Sequence, residues 1–159
     1  MEAFERFVAL LDYPVFVVTA AVEDERAGCL VGFAGQCSID PPRFVVWLSK
    51  ANHTYGVACR ARVLAVHLLP RDHRLAELFG GATGDEVDKF REVAWFAGPD
   101  GVPVLAGVPG WFAGRVLDHA DWGDHTGFLL APVAARVPEA ADPVLCFGDV
   151  DDIDAGHPA

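Results

Sequence analysis

Apolar residues recur along the chain in short β-branched or aromatic runs separated by Gly, Pro, Asp or Asn, a rhythm of strands and turns. Phe4, Phe7, Val8 and Leu11 share one face of a short amphipathic helix, which Pro14 stops. Residues 13–21 (Tyr-Pro-Val-Phe-Val-Val-Thr-Ala-Ala) predict a first strand and Glu23-Asp24-Glu25-Arg26 a turn. A second strand is expected over 27–39. Its glycines Gly28, Gly32 and Gly35 predict bulges or a place where something approaches the main chain. Asp40-Pro41-Pro42 breaks the chain before a third strand over 43–49. Asn52 can cap a short helix reaching about Arg60, residues 63–69 form a fourth strand, and Asp72 can cap a helix through Phe79. Thr83-Gly84-Asp85-Glu86 has the form of a capping box before a short helix to Arg91. Further strands are expected over 93–97, 104–106, 111–119 and 125–137, and a last one over 144–147. Short helices among many strands, with few βαβ alternations, predict a mainly β, antiparallel barrel-like fold.

The length of 159 residues supports one core and one domain, with residues 1–138 as its body. Residues 139–159 supply the last strand and then an acidic end. They carry six acids and no base, and read as a solvated tail. A net charge of -11 argues against sequence-independent binding to nucleic acid or anionic membrane. No apolar run approaches the ~20 residues of a membrane span, and residues 1–11 lack the layout of a secretory leader. A cytoplasmic protein is expected. Cys29, Cys37, Cys59 and Cys146 form no C-x-x-C pair, and are expected to be small buried hydrophobes.

Several chemistries fail on residue type. Neither Ser38 nor Ser49 sits in G-x-S-x-G, and no P-loop or G-x-G-x-x-G occurs. His119 and His125 stand among Asp118, Asp121 and Asp124, but at no established zinc spacing, and no metal site is assigned. His67, inside an apolar run, reads as a satisfied interior or edge imidazole.

Residues 28–42, Gly-Cys-Leu-Val-Gly-Phe-Ala-Gly-Gln-Cys-Ser-Ile-Asp-Pro-Pro, resemble the signature of the flavin reductase-like family. The ending Ser38-Ile39-Asp40-Pro41-Pro42 matches in full. The strand Phe44 to Ser49, Asn52-His53-Thr54, Leu64 to Leu69 with Leu75-Ala76-Glu77-Leu78-Phe79, and Gly123-Asp124-His125 come in the family's order, over about residues 10 to 137. The resemblance implies an FMN-binding split barrel, homodimeric, with each flavin near the subunit boundary. It implies hydride transfer from NADH or NADPH to FMN or FAD, with reduced flavin passed in many members to a partner monooxygenase.

On that resemblance Val31, Gly32 and Phe33 line the flavin, Cys37 and Ser38 belong to the same segment, and Ser49, Lys50, His53 and Thr54 meet the phosphate. His125 falls on the nicotinamide side as a positioning group, with proton donation to the reduced flavin as a second role. The family's usual Thr or Ser is missing at Leu30, Gly32 and Phe33. Two other readings stay open: a tightly held FMN acting on another small molecule, and a non-catalytic flavin-binding or storage module.

Overall fold

A computed structural model describes residues 1–82, 88–140, 142–154 and 156. The described residues form helices α1 (Glu2–Val8), α2 (His53–Ala58) and α3 (Arg74–Gly81). The strands are β1 (Phe16–Val22), β2 (Glu25–Val31), β3 (Ala34–Ser38), β4 (Arg43–Ser49), β5 (Val63–Leu68), β6 (Trp95–Ala97), β7 (Pro103–Leu105), β8 (Gly110–Asp121) and β9 (His125–Arg136). Seven of them make one antiparallel sheet in the order β2-β1-β5-β8-β9-β4-β3, and β6 pairs with β7. The fold is thus mainly β and antiparallel, as the strand-and-turn rhythm predicts.

The two edge strands, β2 and β3, are consecutive in the chain, with only Gly32 and Phe33 between them. A chain that steps from one edge to the other in so few residues must roll its sheet. The Trp47 N–H donates to the Phe33 carbonyl at 2.8 Å across the step. Phe16 of β1 packs edge-on against Phe44 of β4, with ring centroids 5.8 Å apart. The single strand expected over 27–39 is therefore two. Up to Val31 the partner is β1 (Phe16↔Val31), whereas from Ala34 it is β4 (Ala34↔Val46), and a ladder cannot continue through a change of partner.

Inside the roll, Val18 and Ala20 of β1 pack with Leu48, Leu64, Phe128 and Leu130, and Val57 and Ala58 of α2 pack into the same cluster. On the opposite face of β1, Val17 joins Leu69, Leu75, Phe79 and Leu145. Burial on both faces explains why the apolar run of β1 is continuous. His67 of β5 is fully buried and satisfied at both nitrogens. Its Nδ1 lies 2.9 Å from the Val17 carbonyl, and its Nε2 accepts the Leu105 N–H at 3.0 Å. The ring therefore carries its proton on Nδ1, joining β1, β5 and β7, and burial pushes its pKa down to about 4.

The local helix signals are met with small shifts. Asn52 caps α2 by accepting the Thr54 N–H at 2.9 Å, while Asp72 accepts the Arg74 N–H at 3.3 Å, one residue ahead of the N-cap His73. α1 forms but buries none of its residues. The expected capping box at Thr83-Gly84-Asp85-Glu86 lies outside the described residues, as does His157. Of the short helix expected to reach Arg91, the described residues show a 3₁₀ turn over Lys89–Arg91, capped by Asp88.

The cysteines depart from expectation: only Cys29 is buried, Cys37 and Cys59 are exposed and Cys146 is half-buried. Cys37 lies on an edge strand and Cys59 just past the end of α2, where the sheet offers no cover.

The C-terminal part differs most. No strand forms over 144–147; only single bridges, Pro14 to Cys146 and Pro70 to Val144, reach it. The Asp149 carboxylate accepts the Cys146 N–H at 3.0 Å and closes a turn before a ladder can extend. The acidic end is also not a solvated tail as far as Ile153. Leu145 and Val150 are buried and Ile153 packs beside them, so apolar residues spaced among the acids pin the segment down. The Val15 N–H donates to Leu145 O at 3.2 Å and the Phe147 N–H to Tyr13 O at 2.8 Å.

Candidate functional site

The Gly32–Phe33 step opens a cleft of about 310 Å³. Leu30 and Val31 of β2 form one wall, Trp47, Leu48 and Ser49 of β4 a second, and Phe147, Val150, Asp151 and Ile153 of the C-terminal segment a third. Asn52 and His125 add polar groups. His125 opens β9 directly opposite Ser49 in register. Two glycines shape these walls. A Cβ on Gly32 would stand 3.4 Å from the Phe147 ring, and one on Gly127 would stand 2.8 Å from the Trp47 indole. Glycine at 127 is what lets the indole lie against the main chain of β9.

His125 is held on two sides. Its Nδ1 lies 2.7 Å from Asp124 Oδ1, and its ring meets Phe33 with centroids 5.1 Å apart. The bond from His125 holds the Asp124 carboxyl below the usual carboxylate range. A second recess of about 270 Å³ shares Phe33, Trp47 and His125 with the cleft and is completed by Trp122, Gly123 and Asp124. Trp122 lies over Trp47 with ring centroids 5.0 Å apart.

Of the residues singled out from the sequence, the cleft brings together Val31, Gly32, Phe33, Ser49 and His125. Cys37 and Ser38 lie further along β3 and do not line it. Lys50 turns across to the β8–β9 hairpin. Its Nζ donates to the Asp121 carboxylate, which holds the ammonium pKa up, and its N–H donates to Asp124 O at 2.9 Å. His53 Nε2 stands 3.8 Å from Glu25, whose other oxygen accepts Arg60 at 2.6 Å. Thr54 points inward, and its hydroxyl bonds the buried Cys29 thiol, which burial pushes up to about 11. The cleft lining contains no Lys or Arg.

Sequence reasoning missed Trp47, Phe147, Val150, Asp151 and Ile153. The signal that could have found them was the spacing of Leu145, Phe147, Val150 and Ile153 within an otherwise acidic end. Among the described residues, no group of three or more His, Cys, Asp or Glu is arranged to hold a metal ion, and no helix is long and apolar enough to cross a membrane.

An apolar cleft near the lower end of the ~300–1,000 Å³ usual for small ligands, with a few polar groups at its rim, fits a flat aromatic ring with a polar edge.

Comparison with known proteins agrees with this shape. The chain is 30% identical over 134 residues to the "FMN reductase (NADH) SmoA" of Agrobacterium fabrum, covering 84% of this chain and 74% of that one. It is 29% identical over 112 residues to the "Stachydrine N-demethylase reductase subunit Stc3" of Rhizobium meliloti, covering 68% of this chain and 48% of that one. The chain spans about a third to a half of the length of the first curated relatives it matches. The solved structure of an FMN-binding protein from Thermus thermophilus with bound p-hydroxybenzaldehyde superposes with a TM-score of 0.81 at 28% identity, over 89% of this chain and 84% of that one. The model of the flavin reductase like domain matches residues 8–153, and the chain belongs to that family.

Proposed function

We propose that this chain is an NAD(P)H-dependent flavin reductase: a cytoplasmic, homodimeric split barrel that transfers hydride from NADH or NADPH to FMN or FAD. The observation that carries the reading is the cleft at the edge-to-edge step. Its apolar walls and rim of Ser49, Asn52 and His125 suit an isoalloxazine ring. The rolled sheet supports the split barrel, with residues 139–159 completing the same domain. The names of the relatives support FMN and NADH, and the relative from Pseudomonas aeruginosa named a 4-hydroxyphenylacetate 3-monooxygenase reductase component supports a partner monooxygenase that consumes the reduced flavin.

The flavin supplies the hydride-accepting chemistry when bound. The chain's own task is placement. Val31, Phe33 and Trp47 would hold the ring, and Gly32 leaves room for the Phe147 wall of the cleft. The recess lined by Trp122, Gly123 and Asp124 would hold the nicotinamide, with His125 shared between it and the cleft. Asp124 fixes the tautomer and angle of His125, which packs on Phe33 and keeps the stack in register. Exposed Phe4, Phe7 and Leu10 of the N-terminal region support dimerisation. So does an apolar recess of about 400 Å³, lined by Phe16, Phe44 and Phe112. A second copy would cover both, and light scattering on the purified protein measures it.

The direct test mixes purified protein with NADH or NADPH and FMN, FAD or riboflavin, and tracks the nicotinamide absorbance. Turnover above the rate in free solution is expected. No turnover with any pair defeats the reductase reading, and flavin binding without turnover selects the storage module.

A further inference from the structure

We propose that the cleft selects its flavin by the ring system and not by the phosphate, and that Asp151 sets this preference. The inference rests on reading the cleft as a flavin site. Riboflavin and FMN share the ring and ribityl chain, and FMN adds a phosphate carrying close to two negative charges at neutral pH. A site that reads the phosphate needs cations or a set of donors aimed at it. Here the charge runs the other way: the residues lining the cleft include Asp151 and no Lys or Arg.

The nearby cations are committed elsewhere. Lys50 is paired with Asp121 and Arg60 with Glu25. Lys89, behind the β2 wall, is buried and spends its ammonium on the carbonyls of Gly28 and Phe79, each at 3.2 Å. The side chains at Leu30, Gly32 and Phe33 provide no hydroxyl. Ser49 Oγ accepts the Ala51 N–H at 3.3 Å and Asn52 Oδ1 accepts the Thr54 N–H, so on that side the cleft offers a phosphate one hydroxyl and one amide and no charged donor. The net charge of -11 adds a background that repels an anion.

Asp151 holds its place because the residues around it are anchored. Val150 is buried, Ile153 packs beside Leu30, and the Gly156 N–H donates to Gly80 O at 3.1 Å. Asp151 is therefore carried on a docked segment beside the cleft. A neutral flavin passes it without penalty, while a phosphate-bearing one meets like charge.

The test titrates riboflavin and FMN, by quenching of their fluorescence, into the full-length wild type, Asp151→Asn and Asp151→Lys at low salt. Circular dichroism confirms that each variant is folded. In the wild type, riboflavin is expected to bind as tightly as FMN or tighter, within about threefold. Both variants should tighten FMN by roughly two- to fivefold while leaving riboflavin unchanged, and the gain should shrink as salt is added. Wild-type binding of FMN more than about threefold tighter than riboflavin overturns the inference but leaves the flavin site standing. Variants that shift both flavins equally, or neither, overturn the role of Asp151. Failure of the wild type to quench either flavin removes this inference and the flavin-site reading together.

Discussion

Acid should loosen the join between β1, β5 and β7 through a single side chain, His67. Its imidazole is buried, donates from Nδ1 to Val17 O and accepts the Leu105 N–H on Nε2, so a second proton would have no acceptor and would break the Leu105 bond. Burial lowers its folded pKa to about 4 from an ordinary 6.5. The unfolded chain therefore takes up the proton first. This contribution is complete above pH 6.5, falls as pH drops toward 4, and levels off below. At about 1.36 kcal/mol per pH unit the full loss is about 3 kcal/mol, of which about 2 kcal/mol is gone between pH 7 and pH 5. The assay is urea denaturation at closely spaced pH values for the wild type and His67→Gln, which cannot titrate there. The variant is less stable at pH 7, but its stability should fall less steeply with acid, by about 2 kcal/mol at pH 5. Parallel curves for the two proteins between pH 6.5 and pH 5 would refute the buried, singly protonated ring.

Other consequences concern the cleft. His125→Ala should lower kcat/KM for the nicotinamide by about 10- to 100-fold while moving the flavin dissociation constant little. A matching loss of flavin affinity would make His125 a flavin-binding group instead. Gly127→Ala puts a Cβ into the space of the Trp47 ring. It should cost about 1–3 kcal/mol and change the tryptophan emission, and an unaltered spectrum would show that Trp47 does not lie on β9. Val150→Ala should cost about 1–2 kcal/mol in urea denaturation. No loss would mean that the C-terminal segment is undocked in solution.

Features decided within a few residues were legible in the sequence. The cap of α2 rests on Asn52 and Thr54 alone, and the continuous apolar run of β1 reports burial on both faces. The break at Gly32–Phe33 was not legible, because it is decided by which strand each half of residues 27–39 meets, a matter of distant residues. The acidic end misled for a related reason. Composition reads its charges, while its packing depends on Leu145, Val150 and Ile153 finding Val17 and Phe79 far back along the chain. In the cleft, Val31, Gly32, Phe33, Ser49 and His125 were reached through the family resemblance. Lys50, His53 and Thr54 come soon after Ser49, yet the turn into α2 sends them to Asp121, toward Glu25 and inward to Cys29. Closeness in sequence does not survive a strand-to-helix corner.

The clasp between Val15 and Leu145 bears on how the protein is made. β1 can find β2 soon after both are made, but part of the cover on its outer side, Leu145 and Val150, is made only after the whole main sheet. Until then a nascent chain carries an apolar patch beside Val15, open to holdase chaperones and to neighbouring polysomes. A chain truncated before Leu145 should accordingly aggregate after release, even though it contains every strand of the main sheet.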